Sequence, residues 1–306
     1  MTFRCLFLSV CSVVAFSACA QNADSSQYNS SAAEARVQYP LTTPPIPDFV
    51  MFCGDTIRLD NEYLREKFDR EMINFTFGHS VTFQILKKSG RYFPDIERAL
   101  RETGVPDDIK YLCAMESNLN NKAVSPVKAA GLWQFMPETA RESGLVVNDD
   151  VDQRFDVSLE TVAACKFIKQ SYNVLGEWAA ACAAYNTGRA RVARQMPIQQ
   201  AKSFFEMSLS EETNRYVFRI LALKVLMENP SAFGFNLKPD EYYHEMPFDT
   251  VGVDSTIPDL AVFAREHGIN YMLLKEANPW LRSNKLPIDS ARRYVIRIPK
   301  MDAKKD

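Results

Sequence analysis

IKYLCAMES, residues 109–117, is the stretch that decides how this 306-residue chain is interpreted. Ile109, Leu112 and Cys113 stand at i, i+3 and i+4, the spacing of an apolar stripe on a helix. Glu116 follows at i+7, in line with that stripe. A carboxyl group on the buried side of a helix loses hydration, so its pKa rises and it can act as a general acid near neutral pH. Glu116 is therefore a candidate catalytic acid. The alternative is a Glu at the edge of the stripe that reaches solvent or pairs with an Arg.

A second informative segment is GLWQFMP, residues 131–137. Its glycine, aromatic, glutamine and methionine residues offer close backbone approach, a stacking platform and a bidentate amide, which suit a sugar ring with an N-acetyl group. Trp133 alone would suit a core position. Because Gln134 and Met136 stand beside it, we assign the whole segment to a binding groove. Pro137 fits the first turn of a new helix.

A third segment, AAYNTG at residues 183–188, separates two Ala-rich helical stretches at 178–184 and 189–194. Tyr185 and Asn186 stand at this break. A phenol at the end of a helix can reach a neighbouring carboxyl group. We therefore add both residues to the candidate site.

These segments together closely resemble the lytic transglycosylases that cut bacterial peptidoglycan and share the fold of goose-type lysozyme, and the likeness is to the membrane-bound transglycosylase D type. Ser125 lies nine positions after Glu116 and Gln134 eighteen, as in the family. The resemblance covers roughly residues 45–228. Further matching segments are residues 53–55, 91–94 and 104–111 upstream, and 151–156 and 211–216 downstream.

The resemblance implies a mechanism with one carboxyl group. Glu116 would protonate the oxygen that joins N-acetylmuramic acid (MurNAc) to N-acetylglucosamine (GlcNAc), and the substrate's own N-acetyl group would meet the developing positive charge. Glu116 would then take the proton of the muramic acid 6-hydroxyl, which closes a 1,6-anhydro ring without water. In this scheme Ser125 and Gln134 hold the muramic acid, Met136 shapes the pocket, and Tyr185 contacts the catalytic acid.

Two alternative functions remain open. Hydrolytic glycosidases use two carboxylates, and no Asp or Glu stands between Glu116 and Glu138. A distant carboxylate such as Asp152 or Asp156 could still fold in and make the protein a muramidase that hydrolyses the same bond. The other alternative is a non-catalytic cell-wall-binding lipoprotein, against which the intact Glu116, Gln134 and Tyr185 argue.

The composition excludes several other classes. The chain is 46% hydrophobic and 24% charged, which suffices for a full core and a small second module. A formal charge of −2 and a pI near 6.0 do not indicate nucleic-acid binding, which usually needs a basic surface. His79, His244 and His267 lie far apart. We expect no metal, no cofactor and no obligate protein partner, and peptidoglycan strands as the substrate.

The N-terminus has the pattern of a targeting signal. An apolar run at residues 6–16 follows Arg4 and is too short to span a bilayer. Phe16-Ser17-Ala18-Cys19 resembles a lipobox, so we predict a signal at residues 1–19 with Cys19 lipidated. Cleavage after Ala18 or Ala20 is the alternative. Because residue 20 is not Asp, we expect an outer-membrane lipoprotein on the periplasmic face of the cell envelope.

Residues 20–47 are rich in Ser, Ala and Pro and have no hydrophobic period. We interpret them as a tether with a reach on the order of 30 Å. Cys53, Cys113, Cys165 and Cys182 follow. The last three fall on apolar helical faces and are expected to be buried free thiols, although a disulfide between Cys113 and Cys182 is possible in an oxidising envelope.

The predicted fold is mainly α: a lysozyme-like helical domain at residues 48–230, then a small α+β module at 244–300. In the module, strands at 245–253 and 294–299 enclose a helix opened by Pro258 and a second at 271–277. This strand-helix-helix-strand order resembles the LysM carbohydrate-binding module. The usual Gly-Asp-Thr-Leu opening is replaced by Val253-Asp254-Ser255-Thr256, so a purely structural module is the alternative to glycan binding.

Overall fold

Helices dominate the computed structural model, which describes residues 42–289 and 292–300. The predicted signal and Cys19 lie outside the described residues, as does the predicted tether up to residue 41. None of the described helices combines the length and the apolar character needed to cross a membrane.

The helical part opens with an antiparallel hairpin, β1 (Phe49–Phe52) and β2 (Asp55–Arg58). Eight α-helices follow among the described residues: α1 (Glu62–Phe77), α2 (His79–Thr103), α3 (Lys110–Ser117), α4 (Pro137–Glu142), α5 (Val157–Leu175), α6 (Trp178–Thr187), α7 (Arg189–Ile198) and α8 (Glu211–Glu228). A large hydrophobic core joins them.

The short helix α6 lies in the middle of this core. Its residues from Ala179 to Ala184 are all buried. Such small side chains allow α5, α7 and α8 to pack closely around it. Helix α3 packs against α2 and α8, so the residues at the end of α3 face α8.

The C-terminal module consists of β3 (Phe248–Val253), α9 (Leu260–Glu266), α10 (Tyr271–Ala277) and β4 (Tyr294–Pro299), with β3 antiparallel to β4. Its core also contains Ala130, Val151 and Phe155 from the helical part. The main chain joins the two parts as well, because Asp152 N donates to Trp280 O at 2.9 Å and Arg282 N to Asp150 O at 2.8 Å.

The predicted mainly α fold with a strand-helix-helix-strand module is confirmed. Three details differ from the prediction. Strand β3 begins at Phe248 and not at residue 245. Helix α9 begins after Asp259, whose side chain caps it, and Pro258 stays outside. Pro44 is buried and Ile46 packs on the core, so the chain already lies on the helical domain before the predicted tether ends at residue 47.

The four cysteines of the described part are free thiols. Cys113, Cys165 and Cys182 are buried, and Cys53 is partly buried.

Candidate active site

Glu116 is in the last turn of α3, directly before Asn118 takes the left-handed conformation that ends the helix. Its carboxyl group is partly buried against α8, where the hydroxyl of Tyr216 donates a hydrogen bond to Oε1. Tyr216 is itself buried. Glu116 is thus partly buried on its helix, and its hydrogen-bond partner is a phenol.

The pKa of Glu116 is raised to about 7, and burial is the largest cause. The negative charge of Glu212 raises it further, whereas the hydrogen bond from Tyr216 and the positive charge of Arg219 lower it. Burial and the adjacent Glu116 also raise the pKa of Tyr216, so the phenol keeps its proton. A carboxyl group whose pKa is near 7 can release and recover a proton at neutral pH.

Arg219 is held by a second, fully buried carboxylate, Glu71 of α1. Glu71 accepts bonds from Arg215 Nε at 2.6 Å and Nη2 at 3.2 Å, and Arg219 Nε lies 3.6 Å away. Arg219 has the smallest of the named effects on the pKa of Glu116, and burial has the largest.

The loop that connects α3 to α4 carries the other predicted site residues, and buried side chains fix its backbone. Glu160 of α5 accepts from Leu132 N and Trp133 N, both at 3.2 Å. Gly131 has a φ of +84°, and a Cβ there would overlap the carbonyl oxygen of Arg154 and the Glu160 carboxylate. Only glycine therefore fits at this position.

The segment at 151–156, matched in sequence without an assigned role, braces the same loop. Arg154 donates to Lys128 O at 2.7 Å and to Phe135 O at 3.0 Å. Its Nε and Nη2 also form a buried bidentate pair with Asp152, at 3.0 and 2.7 Å. Asp156 caps α5 through Leu159 N at 3.0 Å.

Trp133 is not the predicted stacking platform. Its side chain is 0% exposed, and its indole Nε1 donates to Thr161 Oγ1 at 2.9 Å. The residue anchors the loop in the core, because the indole finds both an apolar site and a hydrogen-bond acceptor on α5. The other aromatic residue of the segment, Phe135, is also buried.

Gln134, Met136 and Ser125 remain accessible, but Gln134 does not offer the predicted bidentate amide. Its Nε2 donates to Gly131 O at 2.9 Å, which leaves the carbonyl oxygen for a ligand. Met136 is 39% exposed. Ser125 Oγ accepts from Ala129 N at 3.0 Å and keeps its own proton to donate.

Tyr185 does not make the predicted hydrogen bond to the catalytic acid. Its hydroxyl donates to Trp133 O at 2.7 Å, and Tyr216 occupies the position at Glu116 instead. Asn186 Oδ1 accepts from Thr213 Oγ1 at 2.9 Å, which leaves the Asn186 amide protons for a ligand.

A groove cavity of about 460 Å³ lies beside part of this site, although Glu116, Ser125 and Asn186 do not line it. It is lined by Gln134, Met136 and Tyr185 together with Gly188 and Arg189. Among residues 42–289 and 292–300, no group of three or more His, Cys, Asp or Glu side chains could hold a metal ion.

Tyr216 and Glu160 are two residues of the site that were not predicted from the sequence. Tyr216 stands on the apolar stripe of α8, where the hydroxyl of a buried phenol needs a partner. Glu160 precedes Ala163 and Ala164 at i+3 and i+4, which places it on an apolar face of its helix, as Ile109, Leu112 and Cys113 do for Glu116. Each residue is thus a polar side chain on an apolar helix face, and this can be read from the sequence.

Two family models match the chain. Residues 94–208 match the transglycosylase SLT domain, and residues 249–302 match the C-terminal LysM-like domain of soluble lytic transglycosylases. The predicted resemblance is thus confirmed: the chain contains both domains. The first match includes Glu116 and every other predicted site residue of the helical domain.

The chain is also homologous to a curated protein, membrane-bound lytic murein transglycosylase D of Escherichia coli K12. The two are 28% identical over 267 residues, which are 85% of this chain and 57% of that protein.

Among solved structures, the 70 kDa soluble lytic transglycosylase of Escherichia coli aligns at 20% identity with a TM-score of 0.42, over 59% of this chain and 33% of that one. An inactive mutant of the lytic transglycosylase Slt from Pseudomonas aeruginosa aligns at 24% identity with a TM-score of 0.39, over 50% and 26%.

Proposed function

Since the chain contains an SLT transglycosylase domain and a LysM-like domain, we propose that it is a peptidoglycan lytic transglycosylase. It would cleave the MurNAc-β-1,4-GlcNAc bond without water and leave 1,6-anhydro-MurNAc ends. The observation that carries the proposal is the carboxyl group of Glu116, which lies partly buried in the last turn of α3, accepts a hydrogen bond from Tyr216 and has a pKa raised to about 7. One group with this pKa can serve as acid and then as base in the same cycle.

In the first step Glu116 donates its proton to the bridging oxygen, and the GlcNAc leaves as an alcohol. Tyr216 engages Oε1, so we assign Oε2 to the substrate. As the C–O bond breaks, positive charge develops on the muramic acid C1, and the N-acetyl oxygen of the same sugar attacks that carbon. The carboxylate left on Glu116 is stabilised by the hydrogen bond from Tyr216.

In the second step the Glu116 carboxylate accepts the proton of the muramic acid 6-hydroxyl. The resulting alkoxide oxygen bonds to C1 and displaces the N-acetyl oxygen, which restores the amide. Glu116 is protonated again and ready for the next cycle. Atoms and charges balance without water, so the reaction is an intramolecular glycosyl transfer to the 6-hydroxyl and not a hydrolysis.

Side chains that line the groove cavity, or lie outside it as Ser125 and Asn186 do, would supply the remaining contacts. We assign the Gln134 carbonyl oxygen, the Ser125 hydroxyl and the Asn186 amide to hydrogen bonds with the muramic acid. Met136 and Tyr185, which line the groove cavity, would provide its apolar contacts. Glu160 and the Asp152–Arg154 pair position the backbone of the loop and do not touch the sugar.

We further propose that the protein acts at the cell envelope, held by a lipid on Cys19, with peptidoglycan as its partner. The membrane-bound relative supports the envelope. The LysM-like domain supports peptidoglycan binding beyond the groove.

A muramidase remains the second candidate, and Glu212 is the observation that favours it. Asp152 and Asp156, the carboxylates considered from sequence, are occupied by Arg154 and the start of α5. Glu212, on α8 one turn before Tyr216, acts electrostatically on Glu116 and is exposed. It could activate a water, as the second carboxylate of a hydrolase does.

The test is mass spectrometry of the fragments that the protein releases from purified peptidoglycan. The proposal predicts products one water lighter than hydrolysed sugars, lost in Glu116→Gln and kept in Glu212→Gln. Glu102→Gln, an exposed glutamate of α2, is the matched control. Reducing-end products that disappear with Glu212→Gln would establish the muramidase. Wall binding without any product would leave the non-catalytic lipoprotein.

A further inference from the structure

Helix α7 carries a basic surface next to the proposed groove. Residues 178–205 contain three Arg and one Lys but no Asp or Glu, in a chain whose net charge is −2. The three arginines, Arg189, Arg191 and Arg194, are all on α7. The charge is therefore concentrated on one element of the fold.

These arginines lack ionic partners within the part of the chain that the structure describes. Arg191 and Arg194 are exposed, and Arg189 makes only a long hydrogen bond to Gln170 Oε1, at 3.4 Å, and a contact over the Phe167 ring. By contrast, the buried Arg154 and the partly buried Arg215 both pair with carboxylates. The charges of α7 thus stay available to an external anion.

The basic surface continues the groove. A second cavity, of about 460 Å³, is lined by Arg191, Arg194 and Gln195. It shares Gly188 and Ala190 with the groove cavity that contains Gln134 and Met136. Gly188 has a φ of +89° with open space where a Cβ would stand. The path from one cavity to the other therefore crosses bare backbone.

We propose that this surface, the α7 arginine track, binds the free carboxylates of the peptides that branch from muramic acid, so that the enzyme favours peptide-bearing over denuded strands. The inference rests on the proposed function. Peptidoglycan peptides contain residues that keep a carboxylate outside the peptide bonds. Arg pairs with carboxylates through two parallel hydrogen bonds.

The dimensions of the track suit such a peptide. Arg191 and Arg194 are three positions apart and so share a helix face, and Arg189 to Arg194 spans about 7.5 Å along the axis. An extended four-residue peptide spans about 13 Å. A peptide that leaves a sugar in the groove cavity can therefore reach past Arg194.

The experiment compares steady-state cleavage of strands with intact peptides and of the same strands after an amidase has removed the peptides. The full chain is tested against Arg191→Gln/Arg194→Gln. The matched control is Arg101→Gln/Lys166→Gln, which removes two charges from exposed side chains of α2 and α5. We expect the KM of the track variant for peptide-bearing strands to rise about ten-fold with kcat within two-fold, because the contact is remote from the reacting bond.

Cleavage of denuded strands should be the same in all three proteins. An equal loss on both substrates, or no loss on either, would overturn the proposal. A binding measurement separates the peptide site from the proposed function. It compares the affinity of Glu116→Gln for a soluble peptide-bearing muropeptide with that of the same variant carrying Arg191→Gln and Arg194→Gln. If the wild type cleaves neither substrate, the proposed function fails, and a track-dependent affinity would still support the peptide site. Equal affinities with and without the two arginine substitutions would refute the peptide site.

Discussion

Replacing Tyr216 by Phe removes one hydroxyl group and tests what sets the pKa of Glu116. The hydroxyl donates to Glu116 Oε1, and this bond lowers the pKa of the carboxyl group against the effect of burial. A hydrogen bond to a charged group contributes about 1.5–3 kcal/mol, and one pKa unit corresponds to about 1.4 kcal/mol. Tyr216→Phe should therefore raise the pKa of Glu116 from about 7 by about one to two units.

The assay is the pH dependence of kcat/KM on purified peptidoglycan. Glu116 must be protonated for the first step, so the rate falls as the pH rises through its pKa, and this alkaline limb should move to higher pH in Tyr216→Phe. The peak rate should fall, because the carboxylate formed in the reaction loses its donor. Tyr185→Phe is the matched control, since its hydroxyl bonds to Trp133 O. An alkaline limb that stays in place or moves to lower pH, in a folded variant, would refute the reasoning.

Three further predictions concern charge and packing. Glu116→Gln should raise the free energy of unfolding above pH 7 by about 3 kcal/mol and change it little below pH 4.5. The reason is that burial raises the pKa of Glu116 from 4.5 to about 7, so that ionising this carboxyl group destabilises the folded protein. Urea titrations at pH 4 and pH 8.5 measure the difference, and equal effects at both pH values would contradict the prediction. Glu212→Gln should lower the pKa of Glu116 and move the alkaline limb of the rate profile to lower pH, since it removes a negative charge; a shift to higher pH would contradict the assignment. Gly131→Ala should lower the thermal midpoint of unfolding and abolish cleavage, because the new Cβ would overlap Arg154 and Glu160. Calorimetry measures the midpoint. Gly144→Ala is the control, since Gly144 has a similar φ but open space around its Cβ position, and it separates the effect of overlap from that of backbone strain.

Much of the fold could be predicted from local patterns. Helix α10 and strand β4 have the bounds that their periodicity predicted, Tyr271–Ala277 and Tyr294–Pro299. Ser210 caps α8 and stands directly before two glutamates, a sequence pattern that is typical of a helix start. These features depend on residues within a few positions of each other, where periodicity and capping are informative.

The errors concern contacts between distant parts of the chain. Whether Trp133 faces a groove or the core depends on Thr161, 28 positions away. Which tyrosine meets Glu116 depends on how α8 packs against α3, since Tyr216 is 100 positions from the acid. Local sequence could mark both tyrosines as candidates, but only tertiary packing selects between them.

The central claim is that Glu116 acts as acid and then as base without a water molecule. Cleavage of purified peptidoglycan in oxygen-18-labelled water, followed by mass spectrometry of the released fragments, tests it most directly. The account predicts muramic acid ends that are one water lighter than hydrolysed ends and carry no label, and no such ends with Glu116→Gln. Labelled reducing ends from the wild-type protein would contradict the account and identify a hydrolase.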